Sequence, residues 1–437
     1  MSELCVVIEG RVIGRLTADR ASRMTFEYED AWLDAQGAHS LSVNMPLAKT
    51  VYPQRAVLPY LWNLLPENRQ VLQRWGQQYH VSAAHPFQLL MHVGADLPGA
   101  AQFVASEKLP ELQSSQPTVD WISEDELAER LIQLRQDISA VRRAGDLGTM
   151  SLPGVQAKAA FYRDEQTGRW GVPGGGTPTT HIIKLGMPGF DGLVENQYLC
   201  QEIASRLGMP AARSRVLRLD QSYIVVERYD RLPPVSGSPW VRRVHQEDLC
   251  QALGIMPTTK YQDQGGPGIA EIVTLIRRVS TAPETDVDRF LQANMLNWLI
   301  GGANAHAKNY SLRIGAADEI RLAPLYDLSS QLPYADQIPQ RLSMKIGEHH
   351  DIAQVSIADW CKLARACAVR EDRVLGMLAD MARELPDHIS AARDQAIAEG
   401  LDESVVSPLA ARLIAHVTAR SSLFAARLHR AVIVGSS

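Results

Sequence analysis

The spacing of apolar residues changes character several times along the chain. Over residues 4–30, CVVIEGRVIGRL has a strand–turn–strand pattern and RMTFEYE alternates with period two, which predicts a β-rich opening. Over 58–75 (LPYLWNLLPENRQVLQRW) and 87–94 (FQLLMHVG), Leu and Trp recur at helical spacing. Residues 106–121, SEKLPELQSSQPTVDW, are polar and contain Pro, and are expected to form a linker. Ser123 followed by Glu126 is a capping-box pattern, predicting an amphipathic helix through about Arg142. Strands are expected to dominate 151–230 with one helix inserted. Beyond 245 the pattern is helical to the C-terminus, interrupted by strand-like NYSLRI (309–314) and EIRLAPL (319–325). No internal repeat or low-complexity tract is evident.

Composition narrows the class. A chain of 437 residues has room for two or three domains, and 46% hydrophobic with 21% charged residues describes an ordinary folded protein. A net charge of −5 supplies no basic field for nucleic acid, and the pair Arg242-Arg243 is expected to be solvated surface. The five Cys (5, 200, 250, 361, 367) show no CxxC pair and suit buried thiols in a reducing compartment. The opening MSELCVVIEGRVIGRL carries two Glu and its longest apolar run is five residues, unlike a signal peptide. No stretch approaches the ~20 apolar residues of a membrane span, so a cytoplasmic protein without membrane contact is expected.

Four pieces within 151–327 carry chemistry. SLPGVQAKAAFYR (151–163) is a Gly-containing turn entering a strand, and HIIKL (181–185) is a short apolar strand with one Lys184. VENQYLCQEIASRLG (194–208) is a helix stacking Leu199, Ile203 and Leu207, stopped by Gly208. The fourth is GGANAHAKNYSL (301–312), delivered by the apolar helix DRFLQANMLNWLI. A phosphoryl-transfer site needs these parts: backbone donors over phosphates, a strand-borne Lys, and oxygen ligands for Mg²⁺. Asn304 and Asn309 are five apart, the offset of base and metal-binding Asn in the kinase pattern D-x-x-x-x-N, and Asp327 follows a probable hairpin. Taken singly, each piece is better explained by a polar turn; the four in this order are not.

The chain resembles the HipA family of serine/threonine kinase toxins along nearly its whole length. The resemblance is carried by LSVNMPL, LWNLLPEN, HPFQLL, SLPGVQAK, TPTTHIIKL, VENQYLC, VERYDR, HQEDLCQALG, KYQDQGGPG, AHAKNYSL and LAPLYDLSS. It implies an α+β, bilobal protein-kinase-like fold. Residues 1–110 would form a β-rich N-terminal subdomain, 111–227 an N lobe with a nucleotide-binding loop, and 228–437 a mostly α-helical C lobe. It further implies ATP and Mg²⁺ as cofactors. Ser151, Gly154, Gln156, Lys158 and Lys184 would bind the nucleotide, Lys184 on its phosphates, and Glu227 and Tyr229 would form the hinge on the adenine. Asn309 and Asp327 would ligate the metal, and Asn304, His306 and Lys308 would stand in the catalytic loop, where the Lys308 charge could steady the phosphoryl group. Ser151 matches the serine that the family autophosphorylates, silencing the enzyme. Implied partners are a HipB-like helix-turn-helix antitoxin, operator DNA mainly through that antitoxin, and a cytosolic protein substrate. Glutamyl-tRNA synthetase is the best-known target in the family. The implied outcome of activity is growth arrest and persistence.

Several positions depart from the family. Asn304 stands where its base Asp is usual, Ala157 where an acid is common, and Gln197 where Glu pairs with the phosphate Lys; Glu195 or Glu202 could replace that Glu. Asn accepts a hydrogen bond but is not usefully basic, and losing a general base costs about 10²–10⁴-fold. Nucleotide should therefore bind while transfer is feeble. Either an Asp→Asn change has disarmed a kinase, which the retained site favours, or the protein is a natural pseudokinase acting as a nucleotide-binding corepressor with its antitoxin. Small-molecule phosphotransfer is a third, weaker alternative. WGVPGGGTPTT (170–180) precedes a strand, not a helix, and is expected to be a flexible connector; GGPG (265–268) is expected to start a helix. His349-His350 are placed in a polar loop, where zinc binding is not expected.

Overall fold

The computed structural model describes residues 2–140, 143, 146, 150–234 and 241–434, with side chains described as far as 422. The chain divides into two compact units. The first comprises residues up to Met187, Leu217–Thr258 and Ser311–Arg321; the second comprises Pro188–Val216, Thr259–Tyr310 and Leu322 onward.

The first unit opens with a five-stranded sheet in the order Val51–Pro53, Met24–Tyr28, Arg11–Ala18, Ser2–Ile8, Gln102–Ala105, and every neighbouring pair in it is antiparallel. The first hairpin turns at Glu9-Gly10, both at positive φ, the conformation that matches the twist of a two-residue turn. The alternation in Met24–Tyr28 buries Met24, Phe26 and Tyr28. The helical pattern over 58–75 is two helices, Gln54–Asn63 and Arg69–Tyr79. The second starts where the Asn68 side chain accepts the Gln70 and Val71 amides, a local N-cap that overrides the continuous apolar spacing. With Pro86–Val93 they supply Val57, Tyr60, Leu61, Phe87 and Leu90 to the core over this sheet.

A second, six-stranded sheet runs Ser214–Arg218, Ser222–Glu227, His181–Lys184, Lys158–Arg163, Trp170–Gly174, Thr118–Ile122. Its last strand corrects the linker expected at 106–121, which also contains the helix Leu109–Ser114. Thr118, Asp120 and Trp121 face solvent on this edge strand, so the polar composition that suggests a linker is that of a protected sheet edge. The expected connector 170–180 begins instead as the buried strand Trp170–Gly174. A Cβ on Gly171 would lie 2.3 Å from Val119, so glycine there permits close strand approach, not flexibility. The Ser123 hydroxyl accepts the Glu126 amide at 3.1 Å and caps Glu124–Gln136; the helix stops short of the expected end at about Arg142, because Asp137 turns to extended backbone (φ −139°) and its carboxylate accepts the Ser139 amide at 3.0 Å.

Arg243 is also corrected. It does not lie in solvated surface: it turns inward on Arg242–Arg243 to a buried cluster with Asp96, Arg228, Asp230 and Arg231. Cys5, Cys200, Cys250 and Cys367 are buried and outside any disulfide, as is the half-buried Cys361.

The second unit is mostly helical. Leu193–Arg206 buries Leu199 and Ile203, and its Gln201 amide donates to the Ala212 and Leu325 carbonyls at 3.0 and 2.8 Å. Ile269–Val279 starts at Gly268, whose amide meets the Glu271 carboxylate at 2.7 Å, so GGPG does open a helix. Pro283–Ile300 is buried on almost every side of its last three turns and stops at Gly301, φ 69°. Ile357–Ala366, Glu371–Ala398 and Glu403–Val434 complete the unit. His349 and His350 belong to a strand, His349–Asp351, paired with Arg341–Ile346; the His350 ring contacts the Leu342 carbonyl at 2.8 Å. Among the described residues no helix is long and apolar enough to cross a membrane.

Candidate active site

The loop after Pro283–Ile300 is pinned before it reaches its polar residues. The Gly302 amide donates to the Asn297 carbonyl at 2.6 Å, and a Cβ on Gly302 would sit 2.2 Å from the Asn297 side chain, so only glycine fits. Ser343 grips the Ala303 carbonyl through its amide (3.1 Å) and its hydroxyl (2.7 Å). Residue 304 then leaves a backbone already fixed at the two residues before it.

Asn304 is the centre of a small network. Its Oδ1 accepts the Tyr261 phenol at 2.8 Å, and its carbonyl accepts the Asn309 amide Nδ2 at 2.7 Å and the His306 backbone N–H at 3.0 Å. His306 is buried and neutral: desolvation first, then Lys260, pushes its pKa down to about 3, while Asp327 opposes and Lys308 adds to the shift. Its Nδ1 is buried without a hydrogen-bond partner. Lys308 is buried, and its carbonyl accepts the Tyr326 phenol at 2.8 Å. Asp327 has φ 58°, left-handed backbone that Asp tolerates better than most residues. Asn304, Asn309, Tyr326, Asp327 and Ser329 line one small cleft. The second unit thus gathers Asn304, Asn309 and Asp327, singled out in the sequence 23 residues apart at the extremes (327 − 304).

The remaining predicted residues sit on the first unit. Lys184 ends the strand His181–Lys184, opposite Lys158 on one side and Ile224 on the other, and is buried. Gly154, φ 105°, turns the segment so that Lys158 Nζ reaches the Pro153 carbonyl at 2.8 Å. The Gln156 amide donates to the Leu185 carbonyl at 2.6 Å, tying this turn to the Lys184 strand. Ser151 is buried, its hydroxyl on the Leu64 carbonyl at 2.8 Å and its amide on the Asp96 carbonyl at 3.0 Å. Glu227 ends the strand Ser222–Glu227 opposite His181, and the Tyr229 phenol donates to the Gln246 side chain. Glu202 pairs with Arg206 at 2.8 Å within its own helix.

Sequence reasoning missed Tyr261, Tyr326 and Asp96. KYQDQGGPG was visible as a motif, yet the contact from Tyr261 to Asn304 spans 43 residues and leaves no periodic trace.

The donor set suits a magnesium–nucleotide pair. Among the described residues no group of three or more His, Cys, Asp or Glu could hold a metal. Mg²⁺ bound with a nucleotide takes only one or two protein carboxylates, the phosphates supplying the rest. Asn309 and Asp327 line a common cleft and could serve as such a set. A strand lysine beside a glycine turn is the corresponding set for phosphates.

These elements define a kinase-like α+β protein. The family model for the HipA N-terminal domain matches residues 4–104, and that for the HipA-like C-terminal domain matches 150–389. The Sinorhizobium fredii (strain NGR234) protein Y4mE is 35% identical over 369 residues, covering 83% of this chain and 84% of its own. The serine/threonine-protein kinase toxin HipA of Shewanella oneidensis is 29% identical over 395 residues, covering 87% and 86%. The solved complex of Shewanella oneidensis MR-1 HipA, HipB and operator DNA is similar over 96% of this chain and 98% of the matched one, with TM-score 0.83 and 26% identity. The chain belongs to the HipA family.

Proposed function

We propose that this chain is a protein serine/threonine kinase of the toxin type, using ATP and Mg²⁺ on a cytosolic protein and neutralised by a HipB-like helix-turn-helix antitoxin. The observation that carries the proposal is the cleft where Asn304, Asn309 and Asp327 meet. Bound there, Mg²⁺ would neutralise charge on the transferring phosphoryl group. Asn309 and Asp327 would hold that ion. Lys184 would pair with the nucleotide phosphates, with Ser151, Gly154, Gln156 and Lys158 on the adjoining turn and Glu227 and Tyr229 at the adenine. Residue 304 would orient the substrate hydroxyl, and Lys308 would add positive charge beside it.

Asn304 cannot accept the hydroxyl proton, so transfer is slow while nucleotide binding persists. The test is Asn304→Asp incubated with labelled ATP and a lysate. Phosphate on Ser151 or on a lysate protein supports the kinase; labelling of neither overturns it. An aminoacyl-tRNA synthetase is the substrate class to examine first, given the family resemblance.

A second reading has a specific observation in its favour: residue 304 is a neutral amide whose Oδ1 already accepts the Tyr261 phenol at 2.8 Å, an arrangement that requires no ionised side chain there. On that reading the protein is a nucleotide-binding pseudokinase that joins its antitoxin on operator DNA. Growth arrest on expressing Asn304→Asp, relieved by co-expressed antitoxin, would remove it.

A further inference from the structure

The turn that carries Tyr261 is built to be rigid. Gly265 has φ 90°, and the Gln264 and Gly266 amides both donate to the Tyr261 carbonyl, at 3.0 and 2.8 Å. A Cβ on Gly266 would lie 2.3 Å from the Thr259 carbonyl oxygen, so the chain can fold back this tightly only on glycine. The Gln262 side chain fastens the turn to a strand by accepting the Lys345 amide at 2.6 Å. Nothing in the structural role of GGPG, which is to open Ile269–Val279, requires a tyrosine six residues before Pro267.

From this base, with a third contact from its neighbour Lys260, Tyr261 reaches the catalytic-type loop two ways. Its phenol donates to Asn304 Oδ1 at 2.8 Å. Its ring stands edge-on to His306, with centroids 4.9 Å apart and planes at 89°. The preceding carbonyl, on Lys260, accepts the Ala307 amide at 3.4 Å. The phenol therefore holds Oδ1 of the residue-304 side chain, and Asn304 itself lines the cleft. Asp has the same shape as Asn, so the same phenol would hold one carboxylate oxygen and set the other. A donor on the first oxygen also favours the ionised form of the group.

We propose that Tyr261 is a positioning residue for phosphoryl transfer: it fixes the residue-304 side chain in the orientation that meets the substrate hydroxyl. This rests on the kinase reading above. A group oriented by a partner on a rigid turn delivers catalysis that the same group, left to rotate, does not.

The test uses the full chain carrying Asn304→Asp, with and without Tyr261→Phe, which keeps the ring and removes only the O–H. The expected result is a kcat lower by roughly 10- to 100-fold with the KM for ATP within about 2-fold, since nucleotide contacts are made elsewhere. The acidic limb of the pH–rate profile should also move to higher pH, a change that loosened packing alone would not produce. Incorporation of 3-fluorotyrosine at 261 restores the donor and should restore the rate. Its more acidic phenol should move the same limb to lower pH, and that shift carries the test if the phenylalanine protein does not fold. An active Asn304→Asp protein whose rate and pH profile are unchanged by both substitutions overturns the role of Tyr261 alone. An inactive Asn304→Asp protein that still folds overturns the kinase reading and the positioning role with it.

Discussion

Ser151 donates its hydroxyl to the Leu64 carbonyl at 2.8 Å while its own amide donates to the Asp96 carbonyl at 3.0 Å, leaving the serine 1% exposed. A phosphate on this oxygen could not remain there. It would lose the donor, set negative charge against a carbonyl oxygen, and bury a dianion. If Ser151 is the self-modified residue of a HipA-type kinase, modification must break the hydroxyl bond to Leu64 and push the phosphate out of its buried place, which is expected to loosen the turn that leads to Gly154 and Lys158. The expected outcome is faster hydrogen exchange across residues 150–158 in phosphorylated chain than in unmodified chain. Ser151→Ala should cost about 1–3 kcal/mol of stability, because it leaves the buried Leu64 carbonyl without its donor, and should abolish self-labelling of Asn304→Asp protein. Equal exchange in the two forms would show that modification leaves the turn in place.

Asp96 anchors the same region through its carboxylate. Its oxygens meet Arg231 at 2.9 Å, Arg228 and Arg243 at 3.5 Å, and Thr179 at 3.0 Å (amide) and 2.6 Å (hydroxyl). Burial alone would raise the Asp96 pKa; the three guanidiniums and Thr179 outweigh it and hold the carboxyl well below its usual range. A depressed folded pKa contributes stability that is complete above the unfolded value, near 3.9, and is lost as pH falls towards the folded value. Asp96→Asn should thus destabilise at neutral pH, by about 3–5 kcal/mol, because it leaves buried arginines short of one charge. Urea unfolding at pH 7 measures this, and the gap between variant and parent should narrow only below about pH 4. A variant as stable as its parent at pH 7 would remove the cluster as an anchor.

How much of this was legible in sequence depended on the range of the interaction. Helix Pro283–Ile300 and its stop at Gly301 follow from local spacing and glycine chemistry, and the residue types at 304, 309 and 327 mark the cleft they line. The strand Thr118–Ile122 was not legible, because an edge strand shows its polarity to solvent and keeps its β identity in hydrogen bonds to Trp170–Gly174. Arg243 was not legible either: its partner Asp96 lies 147 residues earlier, and nothing local distinguishes a buried guanidinium from a solvated one. Tyr261 shows the same limit at the candidate site, since a motif can be visible while the contact it makes is not.

Glu247 carries a pH dependence of opposite sign to Asp96. Its Oε1 accepts the Val43 amide at 2.7 Å, and Oε2 is buried with no hydrogen-bond partner. Burial pushes its pKa up to about 8, against the lowering effect of Ser42 and the Val43 amide. Between the unfolded value near 4.3 and about 8 the folded chain holds a proton that the unfolded chain releases, so this residue's contribution to stability falls as pH rises. Glu247→Gln keeps the acceptor for Val43 and cannot ionise. Its stability relative to the parent should climb with pH by up to roughly 1.4 kcal/mol per unit, levelling off above pH 8. Parallel stability curves from pH 5 to 8 would show that Glu247 is ionised in the fold.

Asp327 separates charge from backbone at the candidate metal position. At φ 58° the residue occupies left-handed backbone, which Asn adopts as readily as Asp and which costs Ala roughly 1–2 kcal/mol. Asp327→Asn therefore preserves the turn and removes only the carboxylate charge. If Asp327 and Asn309 hold Mg²⁺ for the nucleotide, this variant should keep its affinity for nucleotide without metal. It should lose the gain from adding Mg²⁺ by about 10-fold or more, the scale of one charged ligand interaction of a few kcal/mol. Asp327→Ala should show the same metal defect and, in addition, a lower unfolding free energy. Titration of a fluorescent nucleotide with and without Mg²⁺, beside urea unfolding, resolves the two effects. Retention of the full Mg²⁺ gain in Asp327→Asn would take this residue out of the metal site, whatever happened to stability in the alanine variant.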